Sequence, residues 1–250
     1  MPGETRSVRL YLFGILILLV TSPARADWGD LLKLFEKTDK TAAAGSLSEA
    51  DVVAGLKEAL SRGTESAVDF LGRNNGFLKT PRVRIPMPES LQLVERGLRS
   101  AGQGRYADEF IATLNHAAEQ AVTGATPIFV KAIKSMTIAD AWAILNGPDD
   151  AATNYFRGHT TAALYKRFLP VVSKATAAVG VTSAYKRLVN GLGPVGSLVN
   201  TDSLDLDAYV TRGSLDGLFL ILAEEEKRIR DNPAARSSEL LRKVFGRDGS

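Results

Sequence analysis

Residues 105–122 have the sequence RYADEFIATLNHAAEQAV, in which apolar residues recur at three- and four-residue spacing. In a helix this spacing places them on one face. That face carries Phe110, Ile111, Leu114, Ala117, Ala118 and Ala121. Its alanines are small enough to let neighbouring helices approach closely. The stretch therefore predicts an α-helix at the centre of a helical domain.

The preceding segment, residues 46–76, also has helical apolar spacing. Ser46 and Glu49 stand at the spacing of a capping box, which predicts a helix start. Residues 74–76, Asn-Asn-Gly, tolerate the left-handed backbone of a helix end. The segment predicts one long helix, or two helices broken near Gly63.

Residues 77–91, FLKTPRVRIPMPESL, contain three prolines, each lacking an N–H and favouring extended geometry before it. They predict an extended strap, ending where Pro88 starts the next helix. Alternation places Arg82 and Arg84 on one side of the strap and the apolar Val83, Ile85 and Met87 on the other. Two interpretations stay open: the arginines bind an acidic or phosphate-bearing group over a groove, or they are solvated while the apolar side packs.

Helical spacing continues to the end of the chain. Pro127 stands at one predicted helix start, and Thr137, followed three residues later by Asp140, at the next. Near the C-terminus a predicted buried stripe contains Leu215, Leu218, Phe219 and Leu222. No repeat of 30–50 residues is visible. The sequence predicts an all-α, single compact domain of about ten helices with one Pro-rich strap.

The N-terminus has the pattern of a secretory signal peptide. Arg6 and Arg9 precede the apolar run 10–20, and Ala24-Arg25-Ala26 provides a small-x-small cleavage step. The run is too short to cross a bilayer, since a spanning helix needs about 20 apolar residues; an uncleaved anchor is the alternative. We predict a signal peptide at 1–26, a short amphipathic helix and connector at 27–45, a helical domain at 46–246 and a disordered tail at 247–250.

Charge and cysteine content exclude several classes of protein. The formal net charge of +3 comes from 31 basic and 28 acidic residues; removing the leader's three arginines and one glutamate leaves 28 against 27. Nucleic acid is therefore not an expected partner, and membrane contact is expected only through the leader. The chain has no cysteine, so disulfides, thiol nucleophiles and thiolate metal sites are excluded.

Residues 144–160, ILNGPDDAATNYFRGHT, concentrate polar groups after a glycine. Asn146 and Gly147 fall where one helix must stop, and Asp149 or Asp150 precedes the next, so capping accounts for the acids. A calcium loop needs alternating oxygen ligands that end in a bidentate acid, and this series is absent from the stretch.

Capping does not account for the ring and guanidinium groups that follow. Tyr155 and His159 are four residues apart and share a helix face, whereas Arg157 points elsewhere. We predict Arg84, Tyr155, Arg157 and His159 as ligand-binding residues.

Catalytic chemistry finds little support in the sequence. His116 and Glu119 have the i, i+3 spacing of a bundle metal site, but no second copy occurs, and the expectation is a partly exposed histidine with a helix-surface neighbour. Neither a G-x-S-x-G elbow nor a phosphate loop is present. Asp205 or Asp207 is expected to cap a helix, and residues 224–226 to form a solvated helix end. No catalytic residue, metal or cofactor is predicted.

Several motifs together resemble one bacterial family over roughly residues 47–246. They are GLKEAL, NNGFLKTPRVRIPMPESL, LNHAAEQA, ADAWAILNG, DAATNYFRGHT, LDLDAYVTRGSLDGLF and LAEEEKRIRDNPAARSSELLRKVFG. The family they resemble is domain of unknown function 4197, made of exported proteins. The resemblance implies one compact helical domain and export, and it transfers no catalytic residue, because the family's activity is unassigned.

The sequence therefore predicts a periplasmic helical protein that acts as a binding or interaction module. The expected partner is a small apolar or amphiphilic ligand or an envelope protein, because an alanine-rich helical domain with a polar strap can leave a ligand groove. The alternative is a hydrolase-type or metal-dependent enzyme with a site around residues 146–159. Oligomeric state is not predicted.

Overall fold

The computed structural model of the protein describes residues 48–178, Asn190 and residues 205–231, all within the compact unit Leu47–Ser250. These residues form seven α-helices and one 3-10 helix, with no β-strand in the described ranges. The all-α prediction is confirmed, and the described ranges contain seven helices, against about ten predicted for the whole chain. The predicted signal peptide, the 27–45 segment and the 247–250 tail lie outside the described residues, as do residues 46–47, 179–189, 191–204 and 232–246 of the predicted helical domain.

The helices are numbered here in chain order. They are α1 (Glu49–Gly72), the 3-10 helix (Glu89–Leu91), α2 (Gln92–Ser100), α3 (Gly104–Val122), α4 (Thr126–Ser135), α5 (Ile138–Leu145), α6 (Ala151–Ala178) and α7 (Leu206–Asp231). Within the residues that the structure describes, no helix has both the length and the apolar character needed to span a membrane.

Helix α1 starts two residues later than its sequence pattern predicted. Ser48 is the N-cap, and its hydroxyl accepts the N–H of Asp51 at 3.1 Å while the Asp51 carboxylate accepts the N–H of Ser48 at 3.2 Å. The predicted box of Ser46 and Glu49 is wrong, because the capping box is formed by Ser48 and Asp51 and Glu49 is the first residue of the helix. The helix continues unbroken past Gly63 and is followed by Asn75, whose φ is 63°.

Helix α3 is central, as its sequence predicts. It packs against α1, α2, α6 and α7. All six residues of its predicted apolar face are buried: Phe110, Ile111, Leu114, Ala117, Ala118 and Ala121. The C-terminal stripe of Leu215, Leu218, Phe219 and Leu222 is buried as well.

The strap packs by its apolar side. Val83, Ile85 and Met87 are buried, whereas Arg82 and Arg84 are exposed, so the predicted alternation is confirmed. Residues 77–79 and 81–83 form turns, so the prediction of extended geometry from residue 77 is wrong and only residues 84–88 contain neither helix nor turn. The chain then enters the 3-10 helix, so α2 begins at Gln92 and not at Pro88.

The buried amide of Asn115 in α3 fixes the strap at one residue. Its Oδ1 accepts the N–H of Ile85 at 2.8 Å, and its Nδ2 donates to the carbonyl oxygens of Ile85 and Ile111, both at 2.8 Å. This amide replaces the backbone partner that a neighbouring strand would supply. The strap is therefore held at a defined register, which determines where its arginines lie.

Candidate functional site

The strap and α7 enclose a groove with a volume of about 420 Å³, called here the strap groove. Its polar and exposed lining includes Arg84, Pro86, Tyr209, Arg212, Asp216 and Leu220. Arg82 also lines it. The volume falls within the range of about 300–1,000 Å³ that is typical of small-molecule pockets.

Two glycines of α7 allow the strap to lie close to the helix. A Cβ at Gly217 would stand 2.6 Å from Cε1 of Phe77, and one at Gly213 would stand 3.0 Å from Cγ1 of Ile85. Tyr209, one turn earlier, donates its hydroxyl to the carbonyl oxygen of Pro86 at 3.2 Å. Burial, with a smaller effect of Glu89, raises the pKa of Tyr209, so the phenol remains a donor at neutral pH.

Three arginines line the strap groove, and two of them have no side-chain partner in the described part of the chain. Arg82 forms an ion pair with Glu224, with Nε 2.6 Å from Oε1. The side chains of Arg84 and Arg212 have no hydrogen-bond or ion-pair partner among the described residues, although Asp216 lines the same groove. A guanidinium group presents a planar fork of donors that matches a carboxylate or a phosphate.

An apolar edge adjoins these arginines. Leu220 is 40% exposed, one of three large apolar side chains with such exposure in the described part of the chain. Together with Pro86 it gives the groove an apolar surface beside two guanidinium groups. The arrangement suits a molecule with an acidic head and an apolar body.

The other three predicted ligand-binding residues lie on α6, and none of them lines the strap groove as delimited here. The Tyr155 and His159 rings stack with centroids 4.2 Å apart. The Tyr155 hydroxyl donates to the carbonyl oxygen of Ala132 at 3.3 Å, and Nδ1 of His159 lies 2.8 Å from the carbonyl oxygen of Tyr155. Cζ of Arg157 lies 4.6 Å from the ring centroid of Phe219. The structure thus brings Tyr155 and His159 together, and their role in binding stays a prediction.

The acidic stretch before α6 does not cap that helix. The carboxylate of Glu226, on α7, accepts the N–H groups of Ala152 and Thr153 and the hydroxyl of Thr153, each at 2.9 Å. The prediction that Asp149 or Asp150 supplies the cap is wrong, because a buried carboxylate from another helix occupies the first turn. Asp149 instead forms a surface ion pair with Lys227 at 3.2 Å.

Glu226 is buried and fully engaged, so the prediction of a solvated helix end is wrong for this residue. Arg230 donates from Nη2 both to Glu226 at 3.0 Å and to the carbonyl oxygen of Ile144 at 2.8 Å, which links α7 to the end of α5. The sequence did contain a signal, since Glu226 falls four residues after Leu222 and three before Ile229, on the buried stripe.

Glu119 is likewise not the surface neighbour that the sequence suggested. Its side chain is only 6% exposed and accepts the N–H groups of Asn75, Phe77 and Leu78 at 3.0–3.2 Å. Nδ1 of His116 lies 2.8 Å from Oε2 of Glu119, and His116 is partly exposed, as predicted. The carboxylate therefore fixes the turn that follows α1.

Asp205 caps α7, its Oδ1 accepting the N–H of Ala208 at 2.9 Å, as the sequence predicted. Within residues 48–178 and 205–231, no group of three or more His, Asp or Glu side chains is placed to hold a metal ion.

Comparison with known proteins identifies the family of the chain but no activity, ligand or partner. The family model described as "Protein of unknown function (DUF4197)" matches residues 46–246, so the chain belongs to this family. No curated protein and no solved structure matches the chain.

Proposed function

We propose that this member of the DUF4197 family is an exported binding module whose strap groove takes a small amphiphilic molecule with an acidic head. The observation that carries the proposal is the pair Arg84 and Arg212, whose guanidinium groups have no acceptor among the described residues. The head group lies between the two guanidinium groups. The apolar body runs along Pro86 and Leu220.

Binding is favoured over catalysis by the composition of this groove. Its lining has no histidine, serine, cysteine or lysine, and its one side-chain hydroxyl, that of Tyr209, already donates to the carbonyl oxygen of Pro86. Arginine stays charged throughout the physiological range and serves recognition more readily than proton transfer.

Export and a periplasmic location form part of the proposal, supported by the basic residues, apolar run and small-x-small step of residues 1–26. N-terminal sequencing of the exported protein is expected to return Asp27. A full-length chain retained in the membrane would instead establish the uncleaved anchor.

The ligand class is tested with decanoate and decanol, which share a chain length and differ in the acidic head. Isothermal titration of the mature protein is expected to show saturable binding of decanoate and at least tenfold weaker binding of decanol, since a hydrogen bond to a charged group contributes about 1.5–3 kcal/mol. Equal binding of the two probes, or binding of neither, contradicts the proposal.

A further inference from the structure

A second groove lies between the end of α1, α3 and α6, with a volume of about 940 Å³. Its lining includes Asn74, His116, Gln120, Arg167, Val171 and Lys174. We propose that this α3–α6 groove binds a small phosphorylated polyol, independently of the strap groove. The groove combines one carboxylate, two cationic side chains and two neutral amides.

The one acidic residue in the lining is Glu119, and protein donors already saturate it. Oε1 accepts the N–H groups of Phe77 and Leu78, while Oε2 accepts that of Asn75 and faces Nδ1 of His116. A carboxylate has about four acceptor positions, so four donors leave none for a ligand or a metal ion. The negative charge of the groove is thereby committed to the fold.

The contact with Glu119 also determines which nitrogen of His116 remains. An ionised carboxylate only accepts hydrogen bonds, so Nδ1 must carry a proton and donate it. Nε2 is then the ring nitrogen left for other partners, and it has no hydrogen bond within the part of the chain that the structure describes. His116 thus adds a polar group of fixed orientation to the groove.

The cations of the groove stand on one face of α6. Arg167 and Lys174 are seven residues apart, which is two helical turns, and Pro170 and Val171 lie between them on the same face. Neither cation has an ion-pair partner within residues 48–178 and 205–231. A phosphate monoester carries about −1.5 to −2 charges at neutral pH, so one phosphate matches both cations.

Arg167 occupies room left by a glycine in the turn after α3. A Cβ at Gly124 would stand 3.1 Å from Nε of Arg167 and 3.3 Å from its Cγ. The arginine therefore lies across this turn. An alanine at position 124 would displace the guanidinium group without removing its charge.

Neutral donors complete the site. The amides of Asn74 and Gln120 line the groove opposite α6, and each offers both donor and acceptor atoms to a hydroxyl group. A polyol body satisfies these amides better than an alkyl chain, and this difference separates the α3–α6 groove from the strap groove with its exposed leucine.

The test is calorimetric titration of the mature protein with glucose 6-phosphate, glucose and inorganic phosphate. Glucose 6-phosphate is expected to bind most tightly, inorganic phosphate less tightly and glucose undetectably. Arg167→Gln and Lys174→Gln are each expected to weaken glucose 6-phosphate binding about tenfold, the effect of losing one charge-assisted hydrogen bond. Lys131→Gln, an exposed lysine on α4, serves as the matched control and should change nothing.

Gly124→Ala is the second variant if Arg167→Gln does not fold, and it too should weaken binding. The proposal is overturned if glucose 6-phosphate does not bind, if inorganic phosphate binds equally well, or if the Lys131 variant loses as much affinity as the α6 variants. Loss of binding in Arg84→Gln would place the anion in the strap groove and overturn the assignment as well.

Discussion

The first turn of α6 and the strap groove both combine polar residues with an apolar surface, but they use their polar groups in opposite ways. At α6 the free N–H groups are taken by Glu226, which in turn is held by Arg230. In the strap groove, the guanidinium groups of Arg84 and Arg212 have no acceptor among the described residues. A concentration of polar residues in sequence therefore indicates a site only where the fold leaves some of them unsatisfied.

The physical cause of the difference is the backbone. A helix start has N–H groups that must be satisfied, and burial of that start requires a protein acceptor. The strap satisfies its backbone through Asn115 and its core contacts through Val83, Ile85 and Met87, and the side chain of Arg84 takes no part in either.

Removing the buried cap should have the largest effect on stability. Glu226→Ala leaves two N–H groups at α6 without their acceptor and removes the buried carboxylate that pairs with Arg230, so the free energy of unfolding is expected to fall by about 3–5 kcal/mol. Urea unfolding measures this loss. The control is Glu225→Ala, one residue earlier, whose ion pair with the exposed Arg228 should contribute less than about 1 kcal/mol. Similar losses in the two variants would show that Glu226 is not the acceptor that holds α6.

Disturbing the close approach of the strap to α7 should have the second-largest effect on stability. Gly217→Ala places a Cβ 2.6 Å from the Phe77 ring, and such overpacking is expected to cost about 1–3 kcal/mol. Gly158→Ala in α6 meets nothing within 4 Å and should stabilise the protein by about 0.5–1 kcal/mol, because alanine has the higher helix propensity. Thermal melts of both variants give the two signs; the same sign for both would contradict the packing described here.

A smaller effect on stability is expected at Asp205 and Asp150, the two carboxylates that the sequence suggested as helix caps. Asp205→Ala removes an observed N-cap bond and is expected to cost about 1 kcal/mol. Asp150→Ala removes no such bond and should stay within about 0.5 kcal/mol of the wild type. A loss of about 1 kcal/mol for Asp150→Ala in denaturant unfolding would restore the sequence-based assignment of the cap.

Sequence patterns predicted the features that depend on neighbouring residues. The apolar face of α3, the Thr137 and Asp140 capping box of α5 and the alternation of the strap all follow from spacing within a few residues. Glu119, Asn115 and Glu226 were not assigned their roles, because their partners lie 30 to 74 positions away and follow only from how the helices pack.

The candidate site likewise combines residues that local sequence predicted with residues that only the packing of the chain brings together. Arg84 was proposed from the strap alone, and the structure places it in a groove. Its companion Arg212 stands on α7, more than a hundred positions further along the chain, in a stretch of mixed charge without a local motif. Tyr155, Arg157 and His159 were grouped because they are close in sequence; as their spacing predicted, the Tyr155 and His159 rings stack while Arg157 lies apart from them, over Phe219.

The most direct test compares decanoate affinity and stability in the same variants. Arg84→Gln and Arg212→Gln should each weaken decanoate binding about tenfold, as expected for the loss of a charge-assisted hydrogen bond, while unfolding free energy changes by less than about 0.5 kcal/mol. Arg96→Gln, an exposed arginine on α2, should leave both quantities unchanged. If the strap-groove variants bind decanoate as the wild type does, or lose stability in proportion to affinity, the unpaired arginines are not a binding site.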